Sequence, residues 1–266
     1  MGFSEKLTAA ITNNQTLLTG NLDANLELLG GRAGTTANFR DYLGRLIEQT
    51  QDLVCAYRLG FGFYEALGIE GFTLLNWVRQ AVPAELPLIL DVKHGDLNSS
   101  TVFARTIFQD WGVDAVTLSP YAGWDHAAAF LMYGDRGVFV LCRTSNPGAA
   151  MIQEFPDSQN PHYLQVVAEA RNWGSPEQLY LEAGTTDIAA ITKIRHLAPE
   201  RTILLRSIWQ EEVDLPALLG ASWDAQAGGV LLPVPQEFLF QGNLRSRPNR
   251  RFKLHRYLHP SGSPSH

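Results

Sequence analysis

Short apolar, β-branched runs recur along the whole chain, separated by longer stretches whose apolar residues fall at spacings near 3.6. The runs read as strands near Leu17–Asp23, Leu53–Tyr57, Leu88–Lys93, Ala115–Ser119, Gly137–Arg143, Leu179–Glu182, Thr202–Arg206 and Gly229–Val234. Between them, Asn38–Gln51, Gly68–Val82, Thr101–Trp111 and Thr186–Leu197 have amphipathic helical spacing. Strands alternating with helices give repeated βα units and a parallel sheet, so the fold class is α/β. Eight strands favour a closed (β/α)8 TIM barrel, with an open doubly wound sheet as the alternative. The segment Ser145–Asn172 exceeds an ordinary βα connection and is expected to carry a loop over the barrel mouth.

The pattern changes after Val234. Pro235-Gln236-Glu237-Phe238-Leu239-Phe240 is followed by residues with little apolar periodicity, so the eighth helix is expected to be missing or irregular. Residues 1–240 therefore read as the barrel and 241–266 as a flexible tail. Charge sharpens this division. From Gln241 onward stand Arg245, Arg247, Arg250, Arg251, Lys253 and Arg256 without an acidic residue, so a net charge of −6 for the chain leaves −12 on residues 1–240. A basic tail on an acidic body suits an arm for an acidic protein partner, a nucleic acid or a membrane surface, with a solvated, disordered end as the alternative.

Apolar residues at 45% and charged residues at 18% suit one globular domain of 266 residues rather than a disordered chain. No apolar run approaches the roughly 20 residues of a transmembrane helix. The N-terminus has no basic segment followed by an apolar one, so a cytoplasmic protein is expected. Cys55 and Cys142 each lie in an apolar run and read as buried thiols. Trp124, Trp209 and Trp223 read as packing residues.

The chemistry concentrates in Asp91-Val92-Lys93-His94-Gly95-Asp96, at the end of the third strand. Alternation along a strand sends Asp91 and Lys93 to one side. The C-terminal strand ends of such barrels carry catalysis, although a strand-end salt bridge is the plainer reading of so short a motif. His94 reads as a hydrogen-bonded strand-end residue, with ligand contact as the alternative.

The D-x-K-x-x-D run resembles that of orotidine 5′-monophosphate decarboxylases. The bacterial type 2 branch is further suggested by Ala56-Tyr57 leading to Phe63-Tyr64-Glu65-Ala66-Leu67-Gly68, by Asp114-Ala115-Val116-Thr117 with Pro120-Tyr121, and by the stretch from Gly137 to Ala149. The resemblance spans about Phe3 to Phe240. It implies cofactor-free loss of CO₂ from a pyrimidine nucleotide within a homodimer. Asp91 would press on the departing carboxylate, Lys93 would protonate C6, and Asp96 would reach the partner's site. Asp23 would bind ribose, Ser145 the pyrimidine ring, and Ser100 would stand where threonine is usual.

Three positions depart from that pattern. Arg58 replaces the second-strand lysine, and a planar guanidinium does not reproduce a compact ammonium. Leu204-Leu205-Arg206-Ser207-Ile208-Trp209-Gln210-Glu211-Glu212 lacks the glycines of a phosphate-cradling loop and brings two acidic side chains. Gln236 stands in place of a phosphate-binding arginine. These changes imply a weakly active or inactive barrel with a binding or assembly role. The alternatives are a working decarboxylase with a rearranged phosphate site, or another pyrimidine-like or phosphate-free substrate.

Overall fold

The computed structural model describes residues 1–29, 34–184, 186–209, 213–223, 229–236 and 239. Eight parallel strands close into one barrel in the order β1 to β8. They are β1 (Leu18–Asn21), β2 (Ala56–Gly60), β3 (Leu88–His94), β4 (Ala115–Leu118), β5 (Gly137–Arg143), β6 (Leu179–Gly184), β7 (Ile203–Arg206) and β8 (Val230–Val234). The helices of the described residues are α1 (Phe3–Asn14), α2 (Thr36–Thr50), α3 (Phe61–Glu65), α4 (Gly68–Ala81), α5 (Ser100–Arg105), α6 (Gly123–Leu131), α7 (Ala150–Gln153), α8 (His162–Ala170), α9 (Ile188–Leu197) and α10 (Leu215–Ser222).

The chain divides into two compact units. Among the described residues, one comprises Met1 and Glu5–Val92 with those from Pro233 onward, and the other Gly2–Ser4 with Lys93–Leu232. In the first, Phe39, Leu43, Leu46, Leu59, Tyr64 and Leu74 are wholly buried. In the second, Ile107, Phe130, Phe139, Leu181 and Leu204 form a comparable core. Each such side chain contributes about 1.5–3 kcal/mol by leaving water. Local signals set the helix starts. Thr35 accepts a hydrogen bond from the Asn38 amide at 3.2 Å, Asp187 from Ala189 at 2.9 Å, and Asp214 from Ala217 at 3.1 Å, each satisfying an otherwise unpaired N–H.

The expected β5 coincides with the observed one. β2 does not: it runs Ala56–Gly60 rather than Leu53–Tyr57, with Thr19 opposite Ala56 and Gly60 opposite Asp91. Arg58 interrupts the apolar pattern, yet it is buried within the strand because its charge is paired there. The segment Ser145–Asn172 also holds regular structure. It carries a 3-10 turn at Pro147–Ala149, then α7 and α8. Tyr163, Val166, Val167 and Ala170 of α8 are buried at helical spacing. The expected helix Thr101–Trp111 is α5 followed by a π turn, Thr106–Asp110.

Cys55 and Cys142 are free and buried. Trp124 and Trp223 are partly exposed rather than packed away. No helix of the described residues is long and apolar enough to cross a membrane. The basic tail, Glu211, Glu212 and most of the expected irregular eighth helix lie outside the described residues.

Candidate active site

In the first unit, Arg58 is only 3% exposed and ion-pairs through Nη2 with Asp91 Oδ2, while Nη1 donates to Asn21 Oδ1 at 3.3 Å. The long arginine thus fixes the carboxylate in the middle of β3 from the middle of β2. Asp23 Oδ1 accepts the Gly60 amide at 2.7 Å. A Cβ at Gly60 would fall 2.7 Å from that same oxygen, so glycine is what permits the approach. Tyr64 donates to the Leu22 carbonyl, and its hydroxyl is held well above its usual range by burial and by the Asp23 charge. Gln236, in the position of the expected phosphate-binding side chain, spends its amide on Asp23. Its Oε1 accepts the Asp23 N–H at 2.7 Å and its Nε2 donates to the Asp23 carbonyl at 3.1 Å.

In the second unit, β3 leaves its regular course at Lys93, whose φ is +48°. A lysine in the left-handed region is uncommon and strained, a state that concentrates at functional sites. Its amide donates to Thr117 Oγ1 at 2.9 Å, and its ammonium stands 3.1 Å from Oε1 of Glu182. Glu182 is wholly buried on β6, and the same Oε1 accepts Arg206 Nη1 at 2.9 Å from β7. The other oxygen, Oε2, has no hydrogen-bond partner among the described residues.

Asp96, fully exposed to solvent, accepts the Ser99 amide at 3.0 Å and the Ser99 hydroxyl, which hold its carboxyl below the usual range. The Ser100 hydroxyl is buried against the Asp96 carbonyl at 2.6 Å and His126 Nδ1 at 2.8 Å, so it is committed to the turn ahead of α5. His126 Nε2 donates to the His94 carbonyl at 2.8 Å. His94 stacks between Phe103 and His126, with centroids at 4.6 and 5.2 Å, and contacts Ser99 Oγ at 3.3 Å. This is the hydrogen-bonded strand-end arrangement expected for it.

Ser145 Oγ donates to Ser207 Oγ at 2.8 Å, and Ser207 has φ +63° at the end of β7. Beside Ser145 lies a cavity of about 250 Å³, lined in part by Arg143, Thr144, Asn146, Gln153 and Asp187. Arg143 follows a bulge in β5, pairs with Glu154 at 2.8 Å and lies over the Tyr163 ring at 4.7 Å. Sequence reasoning missed Glu182 and Ser207 as site residues. Glu182 had a signal: an acidic residue inside Leu179-Tyr180-Leu181-Glu182-Ala183-Gly184 must find a cation if the strand is buried.

The profile of the "Orotidine 5'-phosphate decarboxylase / HUMPS family" matches residues 36–178. The "Orotidine 5'-phosphate decarboxylase" of Herpetosiphon aurantiacus is 36% identical over 83% of this chain and 84% of its own. The chain belongs to this family. It is also 50% identical to the "Bifunctional enzyme PyrF/PyrE" of Nostoc sp. over 92% of its length, but spans only about half of that protein. Among solved structures, Leishmania donovani OMP decarboxylase superposes with a TM-score of 0.79 at 31% identity, over 97% of this chain and 96% of the other. Leishmania donovani UMP synthase gives 0.82 at 32%, over 97% of this chain and 56% of the other. The orotidine 5′-phosphate decarboxylase relationship thus extends over nearly the whole barrel, well beyond the motif on β3.

Proposed function

We propose that the chain decarboxylates orotidine 5′-monophosphate to uridine 5′-monophosphate. The observation that carries this reading is the run from Asp91 to Asp96, kept whole at the end of β3 in a chain 36% identical to a protein named for that reaction. The C6–carboxylate bond breaks, CO₂ departs, and the electron pair left on C6 takes a proton from the Lys93 ammonium, which water then restores. Asp91, fixed by Arg58, faces the departing carboxylate and raises the energy of the bound substrate relative to the transition state. A positioned general acid of this kind contributes roughly 10²–10⁴-fold in rate. Arg206 at the end of β7 is the cation we assign to the phosphate, while Ser145 takes the base. Asp96 completes the site of the second copy in a homodimer.

A binding-only role draws support from Gln236, whose amide is occupied by Asp23 and offers a phosphate no cation. Turnover is nevertheless the better supported reading, because the relatives at 36% identity are themselves named as decarboxylases. The test is to incubate the purified chain with orotidine 5′-monophosphate and follow the change in absorbance, beside Lys93→Ala. Lysine-dependent turnover is expected; equal rates with and without Lys93 would remove the proposal.

A further inference from the structure

We propose that Glu182 is a positioning residue: it sets where the Lys93 ammonium stands and ties it to Arg206. The inference rests on the decarboxylase reading for its catalytic meaning, and on the geometry of one compact unit for the link itself. Glu182 lies outside the Asp91–Asp96 run and is absent from the residues that the family resemblance assigns.

A carboxylate buried in the wall of a barrel is costly unless cations meet it. Here two do, both on one oxygen: Lys93 at 3.1 Å and Arg206 at 2.9 Å. A pair kept only for stability would be expected to use both oxygens against the guanidinium fork. Instead Oε2 is left without a partner among the described residues, and Oε1 is the shared point between the ends of β3 and β7. Lys93 is simultaneously held at φ +48°, a conformation that persists only where its surroundings over-determine it. The Thr117 hydroxyl on its amide and Glu182 on its ammonium are among the contacts that do so. Glu182 therefore fixes the far end of the proton-donating side chain and makes its position depend on Arg206. Occupation of Arg206 by a substrate anion would then be felt at Lys93 through a single oxygen atom.

The test compares Glu182→Gln and Glu182→Asp with the unaltered chain, reading kcat per folded molecule, KM, and the rate at which Lys93 is acylated by acetic anhydride relative to Lys6 and Lys193. Displacing a reacting group by about an ångström costs up to roughly a hundredfold. Glu182→Gln should thus lower kcat about 10- to 100-fold with KM within about threefold, and Lys93 should acylate severalfold faster once released. Glu182→Asp, which keeps the charge and shortens the reach, should fall between the two. A purely structural role would lower thermal stability while leaving kcat per folded molecule and Lys93 acylation unchanged, and that result overturns the proposal. If Glu182→Gln does not fold, Glu182→Asp decides: kcat and acylation both equal to the unaltered chain would overturn it. If the unaltered chain shows no turnover, the decarboxylase reading fails, while acylation still decides whether Glu182 holds Lys93.

Discussion

Gln236 grips Asp23 through both ends of its amide, accepting from the backbone N–H and donating to the backbone carbonyl of the same residue. The side chain is buried, so neither bond competes strongly with water. Each is worth about 0.5–1.5 kcal/mol net, and Gln236→Ala should cost about 1–3 kcal/mol. At about 2–4 °C per kcal/mol for a chain of this size, differential scanning calorimetry should register the loss. Gln236→Arg should destabilise to a similar degree without lowering KM for the nucleotide. A gain in affinity from that arginine would show that the position faces the phosphate after all.

Arg58 and Asp91 are the second coupled pair. Removing one partner of a buried ion pair leaves the other charge uncompensated, typically at a cost of about 3–5 kcal/mol. Arg58→Met should therefore unfold at a clearly lower denaturant concentration. Arg58→Lys retains the charge but gives up the second donor to Asn21, and should cost less, about 1–2 kcal/mol. If Arg58→Met is as stable as the parent chain, the ion pair is not holding Asp91.

The barrel itself was legible in the alternation of apolar runs, and β5 could be bounded to the residue because Gly137–Arg143 is apolar up to its terminal arginine. β2 was misplaced by three residues at each end because a charged side chain inside a strand reads as its end, although here the charge is cancelled by a partner on β3. Helix α8 was legible and overlooked, since Tyr163, Val166, Val167 and Ala170 fall on one face. Of the site, the Asp91–Lys93–Asp96 run could be read locally. The Lys93–Glu182–Arg206 cluster could not, because strand closure joins residues distant along the chain and no short motif records their meeting. Likewise the absence of glycine after β7 concealed the fact that Ser207 adopts the left-handed backbone a glycine would favour.

The two stacked histidines predict a pH dependence of stability. Burial is the main cause lowering both His94 and His126 below the ordinary 6.5; the charge of Asp96 opposes it at each, and for His94 the neighbouring His126 lowers it further. Well above pH 6.5 both are neutral whether the chain is folded or not, and their contribution is complete. As pH falls below 6.5 the unfolded chain takes up protons first, so stability declines until the folded values are passed. Melting temperature should thus drop between pH 7 and 5, before the carboxylates titrate. His94→Phe, which keeps a ring against Phe103 but cannot bind a proton, should flatten the profile. An unchanged slope in that variant would show that His94 does not contribute.

The end of β7 provides the sharpest test of the phosphate assignment. A hydrogen bond to a charged group is worth about 1.5–3 kcal/mol, so Arg206→Ala should raise KM about 10- to 100-fold if that guanidinium holds the phosphate. Ser207 separates conformation from chemistry at the adjacent position. Ser207→Gly removes the cost of a left-handed non-glycine residue, about 1 kcal/mol, and also removes the acceptor for Ser145, about 0.5–1.5 kcal/mol. The two nearly cancel, and stability should move little. Ser207→Val retains the strained φ of +63° with a β-branched side chain poorly suited to it, and should lower stability by about 2 kcal/mol or more. Both variants lack the acceptor for Ser145, so they differ at the backbone alone, and a glycine variant no more stable than the valine variant would show that the conformation of Ser207 carries no strain.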